Sequence, residues 1–256
     1  MVDTRSYDQL RVSTFDTIGE LAAAVADDLA VVLRQAIAEQ GQASAIFATG
    51  NSQLAFFQEL HTRDDIAWNR VSIFHMDEYM DLADQHPASF RYVLQKRLVD
   101  LVRPHAFYGI AGDTRDVTAE LARYTALLES HRPIACIMGI GENGHLAFND
   151  PPADFTTRRM IDVVNLVDSC RQQQVGEGHF ARLEDVPRQA LSLTVPALLS
   201  PQHVFVVAPE TRKADAVRAA LEGPVTPNCP ASILRTAQHA RLYLDRDSAA
   251  LLSAQG

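Results

Sequence analysis

Ile134-Ala135-Cys136-Ile137-Met138 runs without a charged residue into Gly139-Ile140-Gly141-Glu142-Asn143-Gly144-His145. A short apolar run that ends at glycine suits a strand buried on both faces, as in a parallel sheet. The same order of apolar strand and then small or polar turn recurs along the chain. Ala45-Ile46-Phe47-Ala48 leads into Thr49-Gly50-Asn51-Ser52, and Val71-Ser72-Ile73-Phe74 into His75-Met76-Asp77-Glu78. His203 to Val207 leads into Pro209-Glu210-Thr211-Arg212-Lys213, and Arg241 to Leu244 is the last predicted strand. Helices fall between them. Thr17-Ile18-Gly19-Glu20 reads as a capping box, and Leu21, Val25, Leu29, Val32, Leu33 and Ile37 follow at helical spacing. Gln53 to Leu60, Ser89 to Val102 and Val117 to Leu128 read as further helices, and another opens after Lys213. This alternation predicts an α/β fold: a doubly wound, mainly parallel, Rossmann-like sheet with helices on both faces. No repeat, low-complexity tract or linker breaks it, so one domain is expected over residues 1–256.

Composition narrows the function. Of the 256 residues 47% are hydrophobic and 21% charged, which is ordinary for a globular chain. A formal net charge of −9 argues against nucleic acid or an anionic membrane as partner. No run is long enough to span a bilayer, and the opening MVDTRSYDQL has no apolar signal core, so a soluble, cytoplasmic protein is expected. Cys136, Cys170 and Cys229 are odd in number and widely spaced. They read as free thiols and not as a zinc set, and no metal is expected.

Ligands of parallel sheets bind beyond the carboxyl ends of the strands. Four polar or glycine-rich segments follow predicted strands here: Thr49 to Ser52, Asp77-Glu78, Gly139 to Asp150, and Glu210 to Lys213. Thr49, Gly50, Asn51 and Ser52 precede a helix, where backbone N–H groups favour an anion; an ordinary turn with a helix cap is the alternative. Asp77 and Glu78 are adjacent carboxylates among apolar residues. One of them, partly desolvated, has the character of a general base, and a solvated loop pair is the alternative. Gly139 to Gly144 matches GxGxxG, but no helix opens at the last glycine. His145 to Asp150 runs straight into Pro151-Pro152, so the segment reads as a loop presenting His145, flanked by Asn143 and Asp150, and not as a dinucleotide site. Lys213 opens a helix, against the helix dipole; an anionic ligand would account for it, and a solvated surface charge is the alternative.

With these residues laid out, the sequence resembles the glucosamine-6-phosphate deaminase/isomerase family, which shares its fold with the 6-phosphogluconolactonases. The resemblance runs from about Ala43 to Leu251. Its marks are Met76-Asp77-Glu78-Tyr79 and Gly141 to Pro151, supported by Thr49-Gly50, the Lys213 loop and Pro230-Ala231-Ser232-Ile233-Leu234. It implies that glucosamine 6-phosphate and water give fructose 6-phosphate and ammonia, with no metal or organic cofactor. Asp77 matches the carboxylate that moves a proton between C2 and C1, and His145 the imidazole that helps to open the sugar ring. Thr49 to Ser52 and Lys213 match the phosphate site.

The chain also departs from the family pattern. The deaminases usually carry Asp at Asn143 and Glu at Asp150, and both flank the His. Their phosphate-binding Arg lies in an Asn-Ser-Arg-Phe-Phe stretch, where this chain reads Arg171 to Phe180, so Arg171 is the candidate replacement. Leu191 to Leu199 looks more like the lactonases. A lactone hydrolase and a non-catalytic sugar-phosphate sensor are the competing readings, and a homo-oligomer is compatible with any of them. Some deaminases answer to N-acetylglucosamine 6-phosphate through a Ser, an Arg and a Lys downstream of the His loop. These positions fall on Ala153, Met160 and Asp162, so no such activation is expected.

Overall fold

A computed structural model describes residues 2–253. The main sheet uses β1 (Asp3–Tyr7), β2 (Leu10–Phe15), β3 (Ala43–Phe47), β4 (Val71–His75), β6 (Ala106–Tyr108), β7 (Ala135–Met138), β10 (His203–Val207) and β11 (Ala240–Asp245). Its order is β1-β2-β11-β10-β7-β3-β4-β6. Every pairing is parallel except the β1–β2 hairpin. A smaller antiparallel sheet joins β5 (Asp77–Tyr79), β9 (Gln189–Leu193) and β8 (Ile161–Asn165) in that order. The mainly parallel, doubly wound expectation holds. The hairpin and the second sheet are additions to it.

Strand side chains alternate between two cores, as a period of two requires. Phe47, Ile137, Phe205 and Ile73 enter one core, which α1 (Ile18–Gln40) and α2 (Leu54–His61) cover. Ile46, Cys136, Met138, Val204 and Phe74 enter the other, under α5 (Val117–His131), α7 (Val195–Leu198) and α8 (Ala214–Glu222). The expected stripe of α1 is inward: Leu21, Val25, Leu29 and Leu33 are fully buried, and Val32 and Ile37 pack at the edge. Thr17 caps the helix by accepting the Glu20 N–H at 3.2 Å. The return bond of the capping box shifts by one residue, because the Glu20 carboxylate takes the Asp16 N–H at 3.1 Å. The expected helix from Ser89 to Val102 is capped by Ser89. It forms as α3 (Phe90–Leu94), a π turn over Gln95–Val99, and α4 (Asp100–Val102). Between β8 and β9 lies α6 (Asp168–Gly176).

The strand order reverses between β3 and β7. From β3 the chain adds β4 and then β6 towards one edge; β7, β10 and β11 then build towards the other. The four strands bearing the polar segments, β10, β7, β3 and β4, are thus contiguous at the switch, where such sheets open a ligand crevice. No helix among the described residues is long and apolar enough to cross a membrane.

Candidate active site

The cleft at this switch is lined by residues from all four segments, among them Thr49 to Ser52, Asp77, His145 and Lys213. Parallel pairing aligns the strand ends, so groups far apart in sequence meet there.

Asp77 is 7% exposed, and its carboxylate has no hydrogen-bond partner among the described residues. Burial, and then the neighbouring Glu78 charge, push this carboxyl well above the ordinary carboxylate range. The two adjacent acids have separate tasks. Glu78 faces away from the cleft and accepts the N–H groups of Tyr79, Phe90 and Arg91 and the Ser89 hydroxyl, all at 2.8–3.1 Å. It anchors the start of α3, where a carboxylate meets unpaired N–H groups and the positive end of the helix dipole.

His145 is placed by its own loop. Its backbone N–H donates to Asn143 Oδ1 at 3.1 Å, and its ring Nδ1 lies 2.8 Å from the same oxygen. The Asn143 amide donates to Asp150 Oδ1 at 2.9 Å, and that oxygen is 3.4 Å from the ring. Burial works to raise the Asp150 carboxyl, but hydrogen bonding and charge from His145, with the Asn143 amide, hold it below its ordinary value. Asn143 and Asp150 therefore form a shell behind the imidazole, with Asp150 acting partly through Asn143. Gly141 lies against the ring: a Cβ there would come within 2.3 Å of ring atoms, so any larger residue displaces the imidazole. Gly144 has φ +85°, which the tight turn needs and glycine adopts at no steric cost. Asn149 is a strut, donating to the carbonyls of Leu146 and Leu193.

Sequence spacing points to no metal set, yet Cys170 on α6 comes within 4.8 Å of ligand atoms of both His145 and Asp150. Burial and the Asp150 charge push the Cys170 thiol up, so the thiolate that would bind a metal is disfavoured.

In the same cleft the Thr49 hydroxyl is buried without a partner. Gly50 has open space where a Cβ would project. Lys213 is 4% exposed, and its ammonium has no ion-pair or hydrogen-bond partner among the described residues. Burial and the neighbouring Arg212 hold its ammonium below the ordinary lysine value. A buried cation and a buried hydroxyl, both unpartnered and lining one cleft, form a cradle suited to an anion.

Arg171 is a correction. Its guanidinium donates to the Leu183 and Val186 carbonyls and to Asp168, which staples α6 to the following loop and leaves it out of the cleft lining. The arginine that does line the cleft is Arg212, joined by Gln173, Gln174 and Glu177. Position beside Lys213, at a strand end in the contiguous set, is the signal that points to Arg212.

The family model for glucosamine-6-phosphate isomerases/6-phosphogluconolactonase matches residues 16–244. The chain belongs to this family. Among its curated members, the glucosamine-6-phosphate deaminase of Exiguobacterium sibiricum is 35% identical over 87% of this chain and 86% of its own. That of Oenococcus oeni is 32% identical over 87% and 92%. A monomeric glucosamine-6-phosphate deaminase of known structure superposes with a TM-score of 0.85 at 27% identity, covering 94% of this chain and 99% of its own. A 6-phosphogluconolactonase from Shewanella baltica shares the fold, with a TM-score of 0.75 at 20% identity over 91% and 97%. The family thus contains both activities, and the cleft residues must distinguish them.

Proposed function

We propose that the chain converts glucosamine 6-phosphate and water into fructose 6-phosphate and ammonia. The observation that carries this is the shared cleft of Asp77, His145 and Lys213, which holds both a carboxylate and an ammonium without side-chain partners among the described residues. The names of the curated relatives support the same substrate. Thr49 to Ser52 and Lys213 take the phosphate. His145, steadied by Asn143 and Asp150, moves the proton that opens the ring and frees the C1 aldehyde. Asp77 then removes the C2 proton, giving an enolamine, and returns it to C1. The resulting C2 imine adds water and expels ammonia, leaving the ketone. The raised pKa of Asp77 suits a base that must also give its proton back. Assignment as a cytoplasmic hydrolase belongs to the same proposal.

Leu191 to Leu199, the lactonase-like stretch, forms β9 and α7 and contributes nothing to the cleft lining, so it describes scaffold and not chemistry. The test is a panel of phosphorylated sugars and lactones, followed by ammonia and ketose release. Ammonia from glucosamine 6-phosphate is expected. Hydrolysis of 6-phosphogluconolactone, with no ammonia from any amino-sugar phosphate, would reject the proposal.

A further inference from the structure

Arg212 is held from three directions. Its Nε donates to Glu210 at 2.6 Å, and its Nη1 donates to Glu177 at 2.6 Å and Glu142 at 3.4 Å. These carboxylates come from the turn after β10, the residue after α6, and the glycine loop after β7. A guanidinium has five N–H donors in a rigid fork. The three ties use Nε and Nη1, and Nη2 has no partner among the described residues, although Arg212 lines the cleft beside Lys213. Glu177 is the buried member of the three, its side chain 6% exposed against 43% for Glu142 and 38% for Glu210. It also accepts from Gln173 and meets His179, so its position is set from its own segment as well.

We infer that Arg212 is the second cation of the phosphate subsite, its guanidinium preset by Glu142, Glu177 and Glu210 so that Nη2 is left for a phosphate oxygen. The inference rests on the proposed phosphate subsite and assigns it the arginine that Arg171 does not supply. A fork fixed in advance loses little rotamer freedom on binding, which favours affinity. The same arrangement tempers that affinity. Arg212 and Lys213 face three carboxylates, and Glu177, the least solvated of them, repels a dianion most strongly. Glu177 therefore sets how tightly phosphate is held.

The test measures the affinity of the full-length protein for inorganic phosphate by calorimetry, alongside KM and kcat for glucosamine 6-phosphate, with circular dichroism as a fold control. Arg212→Ala should weaken phosphate binding and raise KM by about 10-fold or more, the usual effect of losing a charge-assisted hydrogen bond. Arg212→Lys should recover part of the loss. Glu177→Gln should tighten phosphate binding several-fold, since the amide oxygen still accepts from Arg212 while one negative charge is gone. Lys213→Ala serves as the reference. If Arg212→Ala binds phosphate as wild type does while Lys213→Ala weakens it, the assignment of Arg212 is wrong and the phosphate subsite stands. If Glu177→Gln loses affinity as Arg212→Ala does, Glu177 acts through positioning Arg212 and not by repulsion, and the claim that it tempers affinity falls. If wild-type protein binds no phosphate, the subsite and the inference fall together.

Discussion

In the proposed reaction Asp77 is the residue on which the chemistry turns. Asp77→Asn keeps the shape but cannot accept the C2 proton, so kcat should fall by roughly 10²–10⁴ with ligand affinity retained. A variant with wild-type turnover would remove Asp77 from the role of base. The pKa shift has a second consequence. A carboxyl whose folded-state pKa is raised stabilises the fold fully below its unfolded pKa, and that contribution is lost as pH rises through the folded pKa. Above the ordinary carboxylate range the burial of this group costs stability, so Asp77→Asn should raise the unfolding free energy at neutral pH by on the order of 1 kcal/mol. The gain should shrink as pH falls towards the ordinary carboxylate value, and thermal unfolding from neutral to acid pH reads it directly. Most of these residues were legible in the sequence because each stands just past an apolar strand. Arg171 misled because its family match fixes a stretch and not a direction. On α6 its side chain turns to the 183–186 carbonyls, while Gln173 and Gln174 line the cleft.

Among the elements, the carboxylate beside Asp77 matters for α3. Glu78→Ala strips four donors of their acceptor in a buried setting, and should lower the unfolding free energy by about 3 kcal/mol. An unchanged denaturation midpoint would show that water replaces the carboxylate there at little cost. Elements that the sequence hid share a physical cause. β1, Asp-Thr-Arg-Ser-Tyr, is an edge strand with only Tyr7 buried, so it carries no apolar run to betray it. β5 is only Asp77–Tyr79, too short to show a pattern of its own beside β4; it is a separate strand because β9 pairs with it. Buried parallel strands have no such ambiguity, since both faces demand apolar residues.

For the molecule as a whole, the sheet order makes the candidate cleft intelligible: four strands distant in sequence stand side by side. It also bears on control by a second phosphate. Asp162 accepts Arg159 Nη1 through both oxygens at 2.8–3.0 Å, and Ala153 is buried. Of the neighbouring basic pair Arg158 and Arg159, the second is thus tied to Asp162, the carboxylate that stands in place of a cation. N-acetylglucosamine 6-phosphate should leave initial rates at sub-saturating glucosamine 6-phosphate unchanged. A sigmoidal curve turned hyperbolic by it would contradict this.

One adjacency in the sheet has a consequence for biosynthesis. Among the described residues, the β1–β2 hairpin joins the parallel strands through β11, which lies about 225 residues later in the sequence than β2. Translation proceeds at ~5–20 residues per second, so the inner edge of β2 waits on the order of 10–50 s for its partner. Until then β2, and β10 once it has been made, present unpaired edges, the kind of surface that chaperones shield. The interval before β11 emerges is the one in which these edges are open to mispairing.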